Sequence, residues 1–312
     1  MNALSVNRAT KTFGDFTAVD CLSIEVPQGS VFGLLGPNGA GKTTTIRMAM
    51  GITLPDSGEI SIFGHSLDEG TKEKIGYLPE ERGLYKKMKV ADVIAFLCEI
   101  KGVSKRRARA NTMQWIERLG LEDWTHRSVQ DLSRGMQQKL QFISTVVHDP
   151  DLVVLDEPFS GLDPINTGVL KDVMLELNKE KGKTIILSTH VMEQVEKMCD
   201  NICLINKGKK ILDGSISSVK SRYGSNTVAM EYDGDGEFLK SLPDVETIND
   251  YGKYVELRLK DGASHQAVLR AAVERVSVRR FEIVEPSLNH IFIDIVGAEN
   301  VKDVENSKAR VS

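Results

Sequence analysis

The run Gly36-Pro37-Asn38-Gly39-Ala40-Gly41-Lys42-Thr43-Thr44 follows the apolar segment Val31 to Leu35 and opens a helical stretch over Thr43 to Met50. Few folds accept this order of strand, glycine-rich turn and helix. The glycines let backbone N–H groups turn inward around an oligophosphate without Cβ clashes. Lys42 can then reach the β- and γ-phosphates, and the Thr43 hydroxyl can ligate Mg2+. The helix that follows points the positive end of its dipole at the anion. A phosphate-binding loop is therefore the first expectation for this chain.

Size and charge narrow the setting. At 312 residues the chain exceeds the roughly 250 to 300 residues at which single cores stop growing, so a large domain and a smaller one are expected. With 40 basic and 44 acidic residues the net charge is -4, and nothing global favours nucleic acid or an anionic membrane surface. No apolar run reaches the roughly 18 residues of a membrane span, and no signal-peptide pattern opens the chain, which reads as soluble and intracellular. Cys21, Cys98, Cys199 and Cys203 lack C-x-x-C spacing and read as buried free thiols.

Alternation predicts strands over Leu4 to Thr12 and Ala18 to Val26, with Gly14 and Asp15 turning between them as an antiparallel edge. Phe13, just before that turn, either stacks on an adenine ring or packs as an ordinary strand aromatic. Gly51 is a candidate helix stop, and short strands follow at Glu59 to Phe63 and Ile75 to Leu78. From about Val90 to His148 the period is helical, with one stripe over Val90, Val93, Ile94, Phe96 and Leu97 and another over Trp115, Ile116 and Leu119. The basic run Lys105 to Arg109 within it reads as a solvated helix face.

Leu152 to Leu155 is a continuous apolar run, as in a strand buried on both faces of a parallel sheet, and it ends in Asp156-Glu157-Pro158. Ligands of such sheets bind beyond the carboxyl ends of the strands. Asp156 can hold Mg2+ there, and Glu157 can orient or deprotonate a water; two surface carboxylates before a turn proline is the competing reading. Pro164 opens a long helix after Ser160-Gly161-Leu162-Asp163. A further buried strand, Thr184 to Leu187, delivers Ser188-Thr189-His190 to the same edge. His190 is either structural or part of the site.

The P-loop, Leu132-Ser133-Arg134-Gly135-Met136-Gln137-Gln138, the Asp156-Glu157 pair, Ser160 to Asp163 and His190 together resemble the ATP-binding subunits of ABC transporters over about residues 1 to 222. The resemblance implies an α/β P-loop ATPase fold with a mostly parallel sheet, an antiparallel N-terminal edge and an inserted helical subdomain at about 88 to 150. It implies ATP and Mg2+ as ligands. It also implies a nucleotide-sandwich dimer, homomeric or heteromeric, in which Ser133 and Gly135 meet the γ-phosphate bound by the other subunit and Asp163 contacts the opposite site. Within one subunit it assigns Gly36 to Thr44 to the phosphates, Phe13 to the adenine, Thr43, Asp156 and Glu80 to the metal, and Lys42, Glu157 and His190 to catalysis.

Two departures stand out. Arg134 and Met136 replace the family's second glycine and glutamine, and Glu80 stands where glutamine is usual. With the run Pro79 to Tyr85 they resemble the subgroup that exports sodium, drugs or antibiotics. Separate transmembrane permease subunits are the implied partners, docking at Glu80 to Lys89 through Arg82, Tyr85, Lys86 and Lys87, and the implied location is the cytoplasmic side of the cell membrane. A soluble ATPase of the same fold acting in translation or DNA maintenance is the alternative. It would normally carry two cassettes or a long coiled-coil insertion, and neither is present.

Beyond a polar linker around Ser215 to Asn226, a second pattern runs strand Thr227 to Tyr232, helix Glu237 to Leu242, strand Val245 to Asn249, strand Tyr254 to Leu259, helix His265 to Val276 and strand Val278 to Val284. This order suits a small α+β, ferredoxin-like domain over 226 to 297, closed by a helical segment near Leu288 to Val296. No catalytic cluster is visible in it, and dimer contacts or regulation are its expected roles. Residues 298 to 312 read as a disordered tail.

Overall fold

Strands β1 (Asn2–Phe13) and β2 (Phe16–Pro27) form a hairpin across Gly14-Asp15, where Gly14 takes the left-handed φ of 58° that such a turn favours. In the computed structural model, which describes residues 1–81, 83–222, 226–252, 254–260, 262–284, 287–293 and 295, this hairpin belongs to a sheet of its own. After β3 (Val31–Leu35) and α1 (Lys42–Ala49), strand β4 (Ser57–Ile62) pairs antiparallel with β1 and completes the order β2-β1-β4. The alternation along β1 and β2 turns Leu4, Val6, Leu22 and Ile24 into one core with Phe32 and Leu34 of β3 and Ile46 and Ala49 of α1.

The next elements are α2 (Glu69–Glu73), β5 (Ile75–Leu78), α3 (Val90–Ile100), α4 (Lys105–Arg118), α5 (Arg134–Val146), β6 (Leu152–Asp156), α6 (Pro164–Lys179) and β7 (Thr184–Thr189). They are followed by α7 (Met192–Met198), β8 (Asn201–Asn206) and β9 (Lys209–Ser215). The principal sheet runs β5-β6-β7-β3-β8-β9, parallel except for β9. Its central strands are apolar throughout because both faces are covered: every residue of β3 and β6 is buried. At roughly 1.5–3 kcal/mol for each large aliphatic buried, this layer is a major source of stability.

Helices α3, α4 and α5 pack on one another, with Val93, Ile94, Trp115, Ile116, Phe142 and Ile143 inward and Trp115 meeting Phe142 edge to face at 6.5 Å. Phe96 departs from the stripe read in the sequence. It is 42% exposed and makes an edge-to-face contact with Tyr85 instead. Cys98, Cys199 and Cys203 are buried free thiols, whereas Cys21 is exposed.

The chain divides into two compact units, Met1–Ile216 and a second beginning at Ser217. Helix α8 (Ile216–Arg222) starts at this boundary, so much of the stretch read as a polar linker is helical. The second unit contains β10 (Thr227–Asp233), β11 (Val245–Asp250), β12 (Tyr254–Leu259), α9 (His265–Val273) and β13 (Ser277–Val284) in the antiparallel order β11-β12-β10-β13. Numbered within the unit this is 2-3-1-4, the ferredoxin-like arrangement. The first connection is a 3-10 helix, Glu237–Ser241, rather than the expected α-helix. Val228, Met230, Val255, Leu257 and Val268 form a separate core. Residues 288–293 are helical, with His290 Nδ1 2.9 Å from Glu256 Oε2. The expected disordered tail at 298 to 312 lies outside the described residues.

Candidate functional site

The site forms where β3, β5, β6 and β7 end. A cleft of about 430 Å³ is lined by Phe16, Ala18, Asn38 to Thr44, Glu80, Asp156 and Glu157. The phosphate loop is held in shape by contacts that leave no room for a side chain at two of its glycines. A Cβ on Gly36 would lie 2.2 Å from the Ile205 carbonyl oxygen, and one on Gly41, at φ 106°, would lie 2.5 Å from that of Ala18. Gly36 and Pro37 do not line the cleft. Their carbonyls accept hydrogen bonds from Lys42 Nζ at 2.8 and 3.1 Å. Burial lowers the Lys42 pKa, opposed by the charges of Glu157, Asp156 and Glu80.

Asp156 ends β6 and is 1% exposed, yet neither carboxylate oxygen has a hydrogen-bond partner among the described residues. Burial raises its pKa, offset in part by the nearby Ser188 and Thr43 hydroxyls. A buried carboxylate with both oxygens free beside a threonine hydroxyl fits Mg2+, which takes hard oxygen donors and completes its shell with phosphate and water. No cluster of three or more His, Cys, Asp or Glu ligands occurs among the described residues, and a phosphate-bound magnesium needs none. Glu80, exposed at the end of β5, lines the same cleft.

Glu157 is more firmly held. Its Oε2 accepts from Thr189 Oγ1 at 3.1 Å, while Oε1 accepts from the His190 backbone N–H at 3.1 Å and lies 2.7 Å from His190 Nδ1. The carboxylate fixes the histidine tautomer with the proton on Nδ1. The Glu157 backbone sits at φ 48°, left-handed for a residue with a side chain, at a cost of about 1–3 kcal/mol. That strain aims the side chain into the cleft while the Glu157 N–H still bonds Ser188 O at 2.9 Å.

Ser133, Gly135 and Asp163 lie away from this cleft. Ser133 caps α5 and accepts from Met136 N at 3.3 Å, and Asp163 caps α6 and accepts from Asn166 N at 3.0 Å. A Cβ on Gly135 would come within 3.6 Å of Leu162 Cδ2, so these segments adjoin. Phe13 does not line the cleft either. Phe16 does, and sequence reasoning had passed it over. The two rings are cross-strand partners at the hairpin tip, so they share a face; counting alternation through the Gly14-Asp15 turn would have found both.

A phosphate-binding loop, an unpaired buried aspartate and a glutamate locked by a histidine, all at the carboxyl edge of one parallel sheet, define a P-loop nucleotide hydrolase. Known proteins narrow the class. A family model described as ABC transporter matches residues 19–160, and another, described as the C-terminal domain of DrrA1-3-like ATP-binding proteins, matches residues 214–296. The uncharacterized ABC transporter ATP-binding protein YhaQ of Bacillus subtilis (strain 168) is 43% identical over 95% of this chain and 99% of its own. The linearmycin resistance ATP-binding protein LnrL of the same organism is 31% identical over 94% and 98%, and the Nod factor export ATP-binding protein I of Rhizobium etli 32% over 97% and 96%. A solved ATP binding subunit of an ABC transporter, 28% identical, superimposes with a TM-score of 0.67 over 71% of this chain and 93% of that one. The chain belongs to the ATP-binding proteins of ABC transporters, and it is an ATPase.

Proposed function

We propose that this chain is the motor of an exporter, in which ATP binding closes a dimer of ATPase subunits and hydrolysis reopens it against separate permease subunits at the cytoplasmic face of the membrane. The names of the linearmycin resistance and Nod factor export relatives support the export direction. No helix among the described residues is long and apolar enough to cross a membrane, which agrees with a pore supplied by other chains.

In this reading the loop N–H groups and Lys42 take the phosphates, Lys42 exchanging two neutral carbonyls for charged oxygens. Thr43 and Asp156 hold Mg2+, with Glu80 joining them. The metal when bound offsets charge on the transferring phosphoryl oxygens. Glu157 takes a proton from the attacking water, and Thr189 and His190 keep its carboxylate aimed. Ser133 and Gly135 of the partner subunit complete the γ-phosphate shell, and Asp163 approaches the opposite site.

The permease docks beside Glu80 to Lys89. Tyr85, Phe96 and Ile100 are exposed there, next to a groove of about 250 Å³ that Leu84, Leu97 and Ile100 help to line. Exposed aromatic and aliphatic anchors around a groove suit a partner helix. Arg82, also expected there, lies outside the described residues. The second unit, which has its own core, serves dimer contacts or regulation.

The observation that carries the proposal is the Glu157 carboxylate, held at both oxygens beside the unpaired Asp156. Glu157→Gln keeps shape and removes the base, so it should retain ATP affinity, lower kcat at least about 100-fold and trap an ATP-bound dimer. Hydrolysis near the wild-type rate would sink the assignment.

A further inference from the structure

Helix α5 carries Ser133 and Gly135 at its start, and about 7.5 Å further along its axis it carries Gln138. Gln138 is 4% exposed, and its Nε2 donates to the Pro158 carbonyl oxygen at 2.9 Å. A buried amide usually just satisfies itself in a core. Here the acceptor belongs to the residue directly after Glu157, whose backbone is strained and stays in place only if its surroundings fix it. The Glu157 N–H is tied to Ser188 O and its carbonyl accepts from Ser160 N at 3.1 Å, both from the strand layer and its own turn. Gln138 adds a hold from α5. A second hold, longer at 3.4 Å, runs from Gln141 Nε2 to Glu81 O, beside Glu80. Gln137 Nε2 donates to Leu132 O at 3.1 Å and secures the first turn of the helix, so Ser133 and Gln138 move as one piece.

We infer that Gln138 is a positioning residue that links the two nucleotide sites of a dimer: the helix whose N-terminus meets the γ-phosphate of one site grips, through Gln138, the turn that aims the water-activating carboxylate of the other. The inference rests on the dimer and the Glu157 role proposed above. When the neighbouring site fills and draws α5 towards it, the Pro158 carbonyl follows and Glu157 is set for its own water. Hydrolysis at each site thus depends on occupancy of its neighbour, and the tie is a single neutral hydrogen bond.

The test uses the full-length protein and ATP. Gln138→Met keeps length and helix propensity but removes the donor. It should lower kcat about tenfold, leave KM for ATP within about twofold and bring the Hill coefficient towards 1. Gln138→Glu supplies a group that can donate to the carbonyl only when protonated, so its kcat relative to wild type should rise as pH falls from about 8 to about 6. Wild-type kcat and Hill coefficient in Gln138→Met would overturn the inference. So would a Gln138→Glu ratio that does not vary with pH, since a purely structural role predicts that. Glu157→Gln, assayed alongside, separates the two readings. If it is inactive while Gln138→Met is normal, only the link is lost; if it hydrolyses normally, the role of Glu157 falls and the link with it.

Discussion

Replacing Asp156 by asparagine should make the nucleotide-free protein more stable while it abolishes hydrolysis. The side chain is 1% exposed, and the nearby Ser188 and Thr43 hydroxyls offset the desolvation of its negative charge only in part. Desolvation is the largest influence on its pKa and the attraction of Lys42 the smallest, so removing the charge relieves more than it forfeits. Asparagine leaves a polar but neutral group in the same place, so what is relieved is the excess cost of the charge, on the order of 2 kcal/mol. For a unit the size of Met1–Ile216 that is an increase of roughly 4–8 °C in Tm. The pH dependence has a definite sign. Because the folded pKa is raised, the folded state binds a proton that the unfolded chain gives up, and wild-type stability recovers as pH falls through the folded pKa. The advantage of Asp156→Asn should therefore be fully present at high pH and shrink as pH is lowered. Thermal unfolding without nucleotide or Mg2+, at about four pH values, measures this. Equal or lower Tm at pH 8, or an advantage that does not change with pH, would refute the reasoning. Adding Mg2+ and ATP should then stabilise wild type much more than the variant.

Two further outcomes follow from the same cleft. Glu80→Gln should still hydrolyse ATP but need more free Mg2+ for half-maximal rate, read by titrating Mg2+ at fixed ATP; superimposed curves would remove Glu80 from the metal. Phe16→Ala should weaken binding of a fluorescent ATP analogue about tenfold and more than Phe13→Ala, since Phe16 lines the cleft and Phe13 does not; the reverse order would return the base to Phe13.

The parts of this molecule that can be read from its sequence are those whose chemistry is contiguous or whose burial is two-sided. Gly36 to Thr44 is continuous in the chain, and β3, β6 and β7 appear as apolar runs because both faces are covered. Strand β9 is an antiparallel edge with half-exposed residues such as Ile211 and Leu212, and it leaves no such run. The pairing of β1 with β4 is not legible either, because it joins Leu4 to Ile62 across most of the P-loop region. Phe96 carries the right period for a core stripe, but its neighbour Tyr85 comes from a loop that periodicity does not describe. At the site, residue types announced Asp156 and Glu157. The left-handed backbone of Glu157 and the hold of Gln138 on Pro158 depend on distant segments and are visible only in three dimensions.

The walls around the phosphate loop limit how it can be moved between proteins. Gly36 faces the Ile205 carbonyl in β8, while Gly41 and Gly208, the latter in the turn from β8 to β9, both face the Ala18 carbonyl. The Ala40 carbonyl accepts from Gly208 N at 2.9 Å. A designer who grafts only Gly36 to Thr44 onto another parallel sheet would transfer the glycines without the mould that makes them necessary. The transferable module is the loop with two further segments, the β8 end running into the Gly208 turn and the strand that carries Ala18, which are separate from it in sequence and would have to be carried together.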